Sequence, residues 1–247
     1  MKKTITLNFK SDISSEIFFF LSYAIFLTTC VLRQSFYIRY IPELIFKVII
    51  IFSVFLLVIY EALNYGLKLK ELFALCFCGC ISLLLYHNNY SLLPLFLFIF
   101  CGRNIPLQKI AKITVSIGFV LIVFIILSAY AGVIPNYTSI GDLNGEVRVR
   151  HYMGFTYALF LPGFLFNLIC LDLYEYKDQI SLARCFFWML VSYLAYYQTQ
   201  SRLSFCLSIA VIIMFYFLNK FPDILKKRKI ITFAMASSFI ICCILSL

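Results

Sequence analysis

The chain has 247 residues, of which 63% are hydrophobic and only 13% are charged, and its mean hydropathy is +0.97. About a quarter of the residues in a soluble domain are charged, so this composition excludes an ordinary water-soluble fold. The net charge of +10 would suit nucleic acid, but the positions of the basic residues indicate membrane topology instead.

Nine apolar runs approach or reach the length of about 20 residues that a helix needs to cross a bilayer. In chain order they cover residues 17–32, 41–60, 71–86, 90–101, 113–130, 154–173, 182–198, 202–219 and 231–247. The two runs within 71–101 are short, so they can form a re-entrant hairpin instead of two crossings. The sequence predicts an all-α fold, a polytopic transmembrane bundle of about nine spans in a single domain over residues 1–247.

The distribution of Lys and Arg predicts which ends of these helices face the cytoplasm. With a cytoplasmic N-terminus, fifteen of the 21 basic residues lie on the inner side. The other six lie at outer ends: Arg33, Arg39, Lys47, Arg148, Arg150 and Arg202. This excess satisfies the positive-inside rule, and the inverse orientation violates it. We therefore expect a multi-pass protein of the cell membrane, with the bilayer rather than nucleic acid as its surroundings.

The ten cysteines all lie in apolar runs, which favours a packing role over metal binding. Cys76, Cys78 and Cys80 are two residues apart, a spacing that spreads them around a helix, and no His or carboxylate lies beside them in the sequence. The sequence also has no Walker loop, no GxGxxG after a strand and no HExxH. We expect neither a metal nor a cofactor.

The longest polar connection is the outward loop 131–153, and loops of this length are usually functional or disordered. It holds the densest cluster of ionisable groups in the chain: Asp142, Glu146, Arg148, Arg150 and His151. Charge kept beside a membrane is a functional hypothesis by default. The alternative is an ordinary solvated loop.

A second outward segment, QTQSRLSF at 198–205, begins the span at 202. Ser201 can cap that helix through its hydroxyl. Arg202 in the first turn opposes both the helix dipole and the positive-inside preference, which suggests that it has a function. The alternative is an arginine whose side chain snorkels to the membrane interface.

The spans at 154 and 202 both direct their N-termini outward, and helix N-termini bind anions. The guanidinium groups of Arg148, Arg150 and Arg202 bind phosphate oxygens in pairs. Beside aromatic-rich helices, this combination predicts a site for a lipid-linked phosphate or pyrophosphate.

Two segments, RHYMGFTYALFLPGF and YQTQSRLSF, resemble the Wzy-type polysaccharide polymerases of the O-antigen ligase/polymerase superfamily. The first matches an arginine-containing loop that enters a helix at Gly-Phe, and the second matches a T-x-S-R element. The matching residues are Arg150, Gly154, Phe155, Thr199, Ser201 and Arg202. The resemblance covers about residues 130–215 and departs from the family at Gly163, where an asparagine after the proline is expected. Family members also carry further spans, and this chain ends inside an apolar run, so we expect a truncated form or a terminal span.

The resemblance implies that the protein polymerises undecaprenyl-pyrophosphate-linked oligosaccharide repeat units into capsular or exo-polysaccharide, at the outer face of the cytoplasmic membrane and without metal. Its implied partners are the lipid-linked oligosaccharide, a flippase and a chain-length regulator. Arg148, Arg150, Arg202 and Ser201 are the candidate substrate-binding residues, and the candidate bases are His151, Glu146 and Asp142.

Two alternatives stay open. The first is a membrane transporter or repeat-unit flippase, because Pro162 and Gly163 can break a helix that lines a substrate site. A transporter is expected to carry charge deep within its spans, and such charge is scarce here. The second is a non-catalytic, truncated membrane subunit.

Overall fold

A computed structural model describes residues 12–64, 92–143, 146–176 and 180–220, and most of them are helical. The helices in these ranges are α1 (Asp12–Arg33), α2 (Glu43–Asn64), α3 (Leu92–Cys101), α4 (Leu107–Tyr130), α5 (Phe160–Glu175), α6 (Leu182–Thr199) and α7 (Arg202–Lys220). Short 3-10 helices follow α1 and α3, at Phe36–Arg39 and Gly102–Asn104. Strands β1 (Thr138–Leu143) and β2 (Glu146–His151) form an antiparallel pair.

Four of the described helices are long and apolar enough to cross a membrane. The qualifying segments are Glu16–Arg33, Glu43–Leu63, Leu107–Tyr130 and Arg202–Lys220. They confirm the expectation of a helical, membrane-associated chain. Helix α3 has 10 residues and α5 has 16, both shorter than the usual crossing of about 20. The predicted spans at 71–86 and 231–247 lie outside the described residues, so the count of nine stays a prediction.

The predicted span at 154–173 begins too early, because residues 153–156 are held outside any helix. The Phe36 N–H donates to the Gly154 carbonyl over 2.9 Å, and the Thr156 N–H donates to the Gln34 carbonyl over 2.9 Å. Gly154 also has a φ of 84°, which no helix interior adopts. Helix α5 therefore starts at Phe160, and the arginines before it lie in a strand rather than at a helix entrance.

The predicted span at 113–130 begins too late, because helix α4 starts at Leu107 directly after Pro106. Proline is tolerated at the very start of a helix, where its missing N–H has no partner to lose. The first turns of α4 carry Gln108, Lys109 and Lys112, whose polarity removed them from the apolar run.

The described chain forms two compact units, and the first comprises Met1–Asn136 with Met153–Thr156. In it, α1 packs against α2 and α4, and its core is aromatic and aliphatic: Phe19, Phe26, Ile50, Leu57, Tyr60 and Phe98. Polar contacts join the helices as well. Ser22 Oγ donates to the Ser53 carbonyl over 2.6 Å, and Ser53 Oγ donates back to the Ser22 carbonyl over 3.0 Å. Such contacts are typical of helices that associate within a bilayer.

Ion pairs in the first unit join residues that the topology predicts on one side of the membrane. Lys109 Nζ lies 2.7 Å from Glu16 Oε2, and Arg103 Nη2 lies 2.7 Å from Glu61 Oε1. These four residues all belong to predicted inner ends. The pairing agrees with the expected order of helix ends, while the orientation across the membrane stays a prediction.

The second unit comprises Tyr137–Tyr152 and Tyr157–Leu247. Helix α6 packs against α5, α7 and β2, and α5 also packs against α7. Its fully buried aliphatic core includes Leu168, Ile169, Leu173 and Ile212.

At one end of the second unit, a buried carboxylate joins α5 to α6. Asp172 is 3% exposed, accepts a hydrogen bond from Trp188 Nε1 over 2.6 Å and pairs with Arg184 Nε at 2.8 Å. The Arg184 guanidinium in turn lies over the Tyr176 ring, 3.3 Å from its centroid. The charge of Asp172 is therefore compensated where it lies.

The loop 131–153, predicted to face outward, contains the two-stranded sheet, which the prediction of an all-α fold did not include. Thr138 pairs with His151 at one end of the ladder, and Leu143 pairs with Glu146 at the other. The Tyr152 N–H extends the pairing by donating to the Tyr137 carbonyl over 2.9 Å. The loop is thus a hairpin with a defined register, and that register decides which candidate side chains share a face.

Candidate anion-binding site

Strand β2 places Arg148 and Arg150 on one face of the hairpin. They are two residues apart, so their side chains point the same way, and their partners on β1 are Gly141 and Ser139. Both arginine side chains are half-buried. The opposite face is the exposed one, since Ile140 and Val149, which pair across the ladder, are 73% and 42% exposed. The hairpin therefore turns its arginine face toward the protein and its apolar face outward.

Arg150 presents a buried donor in need of an acceptor. Its Nε atom is buried and has no hydrogen-bond partner within the described part of the chain, and the Nε atom of Arg148 is buried as well. A buried donor left unsatisfied costs about 1–3 kcal/mol, and more when the group is charged. A bound anion supplies the missing acceptor and the compensating charge, so this face of β2 suits an anionic ligand.

Arg202 is the first residue of α7, and its side chain is exposed. Gln200, in the left-handed conformation with a φ of 54°, ends α6 and reverses the chain within two residues. Arg202 therefore lies close to the C-terminal end of α6, the helix against which β2 also packs. All three candidate arginines belong to the second unit, two on one strand face and one at the start of α7.

Ser201 is buried, and its hydroxyl donates to Ser204 Oγ over 3.1 Å. Its carbonyl accepts the Phe205 N–H over 3.2 Å, which closes the first turn of α7. Ser201 thus directly precedes α7, and the described hydrogen bond of its hydroxyl is to another side chain, so the expected capping role stays a prediction. That position makes Ser201 a support for the helix start that carries Arg202.

Of the three candidate bases, His151 is the one whose side chain lies within the described part of the chain. His151 follows Arg150 in β2, so its half-buried side chain lies on the opposite face of the hairpin from Arg148 and Arg150. Asp142 pairs with Val147 and Glu146 with Leu143 in the ladder, and both side chains lie outside the described part. The choice of base stays a prediction.

Gly154 and Phe155, which the sequence suggested as a helix start, anchor the chain in the first unit instead. Phe155 is fully buried and forms a β-bridge with Ser35. A Cβ atom at Gly154 would lie 2.9 Å from Ile134 Cδ1 and 3.0 Å from Ala129 Cβ. The contacts of this dipeptide with residues 34–36 depend on pairing across more than a hundred residues, for which the sequence has no local signal.

Within the described ranges, no group of three His, Cys, Asp or Glu side chains is placed to hold a metal ion. The cysteines there are free: Cys30, Cys101, Cys170, Cys185 and Cys206. Cys76, Cys78 and Cys80 lie outside the described residues.

Comparison with protein-family models, curated proteins and solved structures finds no match to this chain.

Proposed function

We propose that this protein is a polysaccharide polymerase that joins undecaprenyl-pyrophosphate-linked oligosaccharide repeat units at the outer face of the cell membrane. The observation that carries the proposal is the buried Arg150 Nε, which has no acceptor within the described chain and lies on a strand face shared with Arg148. A buried cationic donor beside a second arginine favours an anionic ligand. The membrane helices of the chain favour a ligand that is itself lipid-linked.

The spacing of the two arginines suits a pyrophosphate. Two residues along a strand separate their Cα atoms by about 7 Å, and both planar guanidinium groups can close on one small group from that distance. Arg202, exposed at the start of α7, is a third cation in the same unit. Beside a bilayer the local dielectric is low, so each charge–charge contact is stronger than in water.

The reaction is a transfer between a lipid-linked donor and a sugar acceptor. The acceptor hydroxyl oxygen attacks the anomeric carbon of the growing chain, and the bond from that carbon to the pyrophosphate oxygen breaks. Undecaprenyl pyrophosphate leaves with the electron pair, and the hydroxyl proton passes to a base among His151, Glu146 and Asp142. The arginines stabilise the negative charge that develops on the leaving pyrophosphate, since donors fixed before the reaction need no rearrangement during it.

The decisive variant is Arg150→Lys, which keeps the charge and removes the paired fork. In the cell that carries the protein, we expect the yield of long polymer to fall about tenfold or more, as one charged hydrogen bond of about 1.5–3 kcal/mol is lost. Single repeat units should accumulate on their lipid carrier. The purified protein in nanodiscs should lose affinity for inorganic pyrophosphate to a similar extent.

The matched control is Arg39→Lys, at an exposed arginine that lies over the Phe36 ring at the other predicted outward end. It should leave polymer length and pyrophosphate affinity near the parent values. Equal effects of the two variants would refute a pyrophosphate site at Arg150. Loss of solute uptake with polymer unchanged would instead favour the transporter.

A further inference from the structure

A small recess lies inside the second unit, between helices α5, α6 and α7. Four serines line it: Ser192 on α6, Ser201 at the turn, and Ser204 and Ser208 on α7. Pro162 and Leu165 of α5 close its apolar side. The space open to the centre of a water molecule is about 10 Å³. About 10–15 Å³ of such space is what one water needs, so the recess is too small for any larger ligand.

Ser192 is the serine without a partner in this recess. It is 5% exposed, and its Oγ is buried with no hydrogen bond to any described residue. The other three hydroxyls are engaged, because Ser201 Oγ donates to Ser204 Oγ over 3.1 Å and Ser208 Oγ donates to the Ser204 carbonyl over 2.8 Å. A serine in a helix can often bond to the carbonyl four residues back, but Ser192 does not, and its hydroxyl remains to be satisfied.

A buried hydroxyl that is left without a hydrogen bond lowers the stability of a fold. Buried waters usually make about three hydrogen bonds to groups of this kind. The engaged serines of α7 can provide those bonds, since each hydroxyl oxygen has two acceptor lone pairs and uses none or one of them here.

We propose that the recess is a binding site for one ordered water molecule that links Ser192 on α6 to the serine oxygens of α7. The water accepts the Ser192 O–H and donates to two of Ser201, Ser204 and Ser208. It thereby ties the middle of α6 to the first two turns of α7. As a consequence, the water positions Arg202 at the start of α7. The importance of that consequence rests on the proposed function, whereas the water site itself does not.

The first test is direct observation. A structure of the full chain in nanodiscs at about 2 Å resolution should show a water peak about 2.7–3.2 Å from Ser192 Oγ and from at least one serine oxygen of α7. The peak should persist in Thr199→Val, because Thr199 Oγ1 bonds to the Ala195 carbonyl within α6 and lies outside the recess. A dry recess in the parent structure would overturn the proposal.

The second test uses the sign of a stability change. If the water is bound, Ser192→Ala removes one of its partners and should lower Tm by about 2–4 °C. If the recess is dry, the same change removes an unsatisfied hydroxyl and should leave Tm unchanged or raise it. Neither test measures polymerisation. Both results therefore decide whether the water is bound even if the protein is not a polymerase.

Discussion

At the scale of single residues, Gly154 shows how one backbone conformation joins distant parts of the chain. Its φ of 84° lies in the region that favours glycine, and its carbonyl accepts the Phe36 N–H. A side chain there has no room, because a Cβ atom would lie 3.0 Å from Ile125 Cγ2. The dipeptide Gly154-Phe155 therefore holds residues 153–156 against residues 34–36 within the first unit.

Alanine substitutions at three glycines distinguish the two costs of a methyl group at Gly154, which are backbone strain and close contacts. Gly154→Ala meets both the strained φ and the close contacts, so we expect a loss of about 2–4 kcal/mol of stability. Gly132→Ala has a φ of 75° with nothing within 4 Å, so it meets only the backbone strain of about 1–2 kcal/mol. Gly163→Ala in α5 has neither problem and should be neutral or slightly stabilising.

The measurement is Tm of each variant in the same detergent or nanodisc, and the expected order of Tm is Gly163→Ala highest and Gly154→Ala lowest. If Gly154→Ala proved as mild as Gly132→Ala, the close packing around Gly154 would be wrong. The anchoring of the hairpin's exit would then need another cause.

At the scale of secondary structure, the hairpin and the helix ends show what hydropathy can and cannot predict. The centres of α1, α2, α4 and α7, the four described helices long and apolar enough to cross a membrane, lie inside predicted spans because long apolar runs identify such helices. The strands were missed although EVRVRH alternates with the period of two expected of a strand, and although Asn144-Gly145 is a dipeptide common in hairpin turns. Those signals were present locally and were outweighed by the polarity of the segment.

The start of α5 had no such local signal. It depends on the pairing of residues 153–156 with residues 34–36, which only the folded chain brings together. The start of α4 was predicted too late for a different reason. Its first turns are polar, so a search for apolar runs leaves them out. The same limit applies to the candidate site, where the strand conformation of β2 places the adjacent side chains of Arg150 and His151 on opposite faces.

The contact between α5 and α6 gives a prediction at this scale. Asp172→Asn removes the charge that Arg184 needs while keeping the side chain's size, and it should lower the stability of the second unit by about 1–3 kcal/mol. The matched control is Glu43→Gln, whose exposed i,i+4 pair with Lys47 at 3.4 Å contributes less than about 0.5 kcal/mol. Thermal unfolding of both variants checks this. Equal changes in Tm would mean that burial of Asp172 adds nothing to its ion pair.

At the scale of the whole molecule, the sorting of charge predicts one arrangement across the membrane. Within the first unit, the ion pairs of Glu16 with Lys109 and of Glu61 with Arg103 join residues at predicted inner ends. The hydrogen bond from the Tyr37 hydroxyl to Ser128 Oγ, 2.8 Å long, joins residues at predicted outer ends. These pairings hold for either orientation, so the positive-inside excess alone decides which end faces the cytoplasm.

The orientation is tested by the access of a membrane-impermeant thiol reagent to intact cells. Asn144→Cys, between the two strands, should be labelled from outside, because the positive-inside excess predicts that the hairpin faces outward. Leu107→Cys, at the exposed start of α4, should be labelled only after lysis. Labelling of the parent chain, with its ten native cysteines, is the background to subtract. The reverse pattern would place Arg148 and Arg150 in the cytoplasm, where the proposed donor is absent, and the polymerase proposal would fall with the topology.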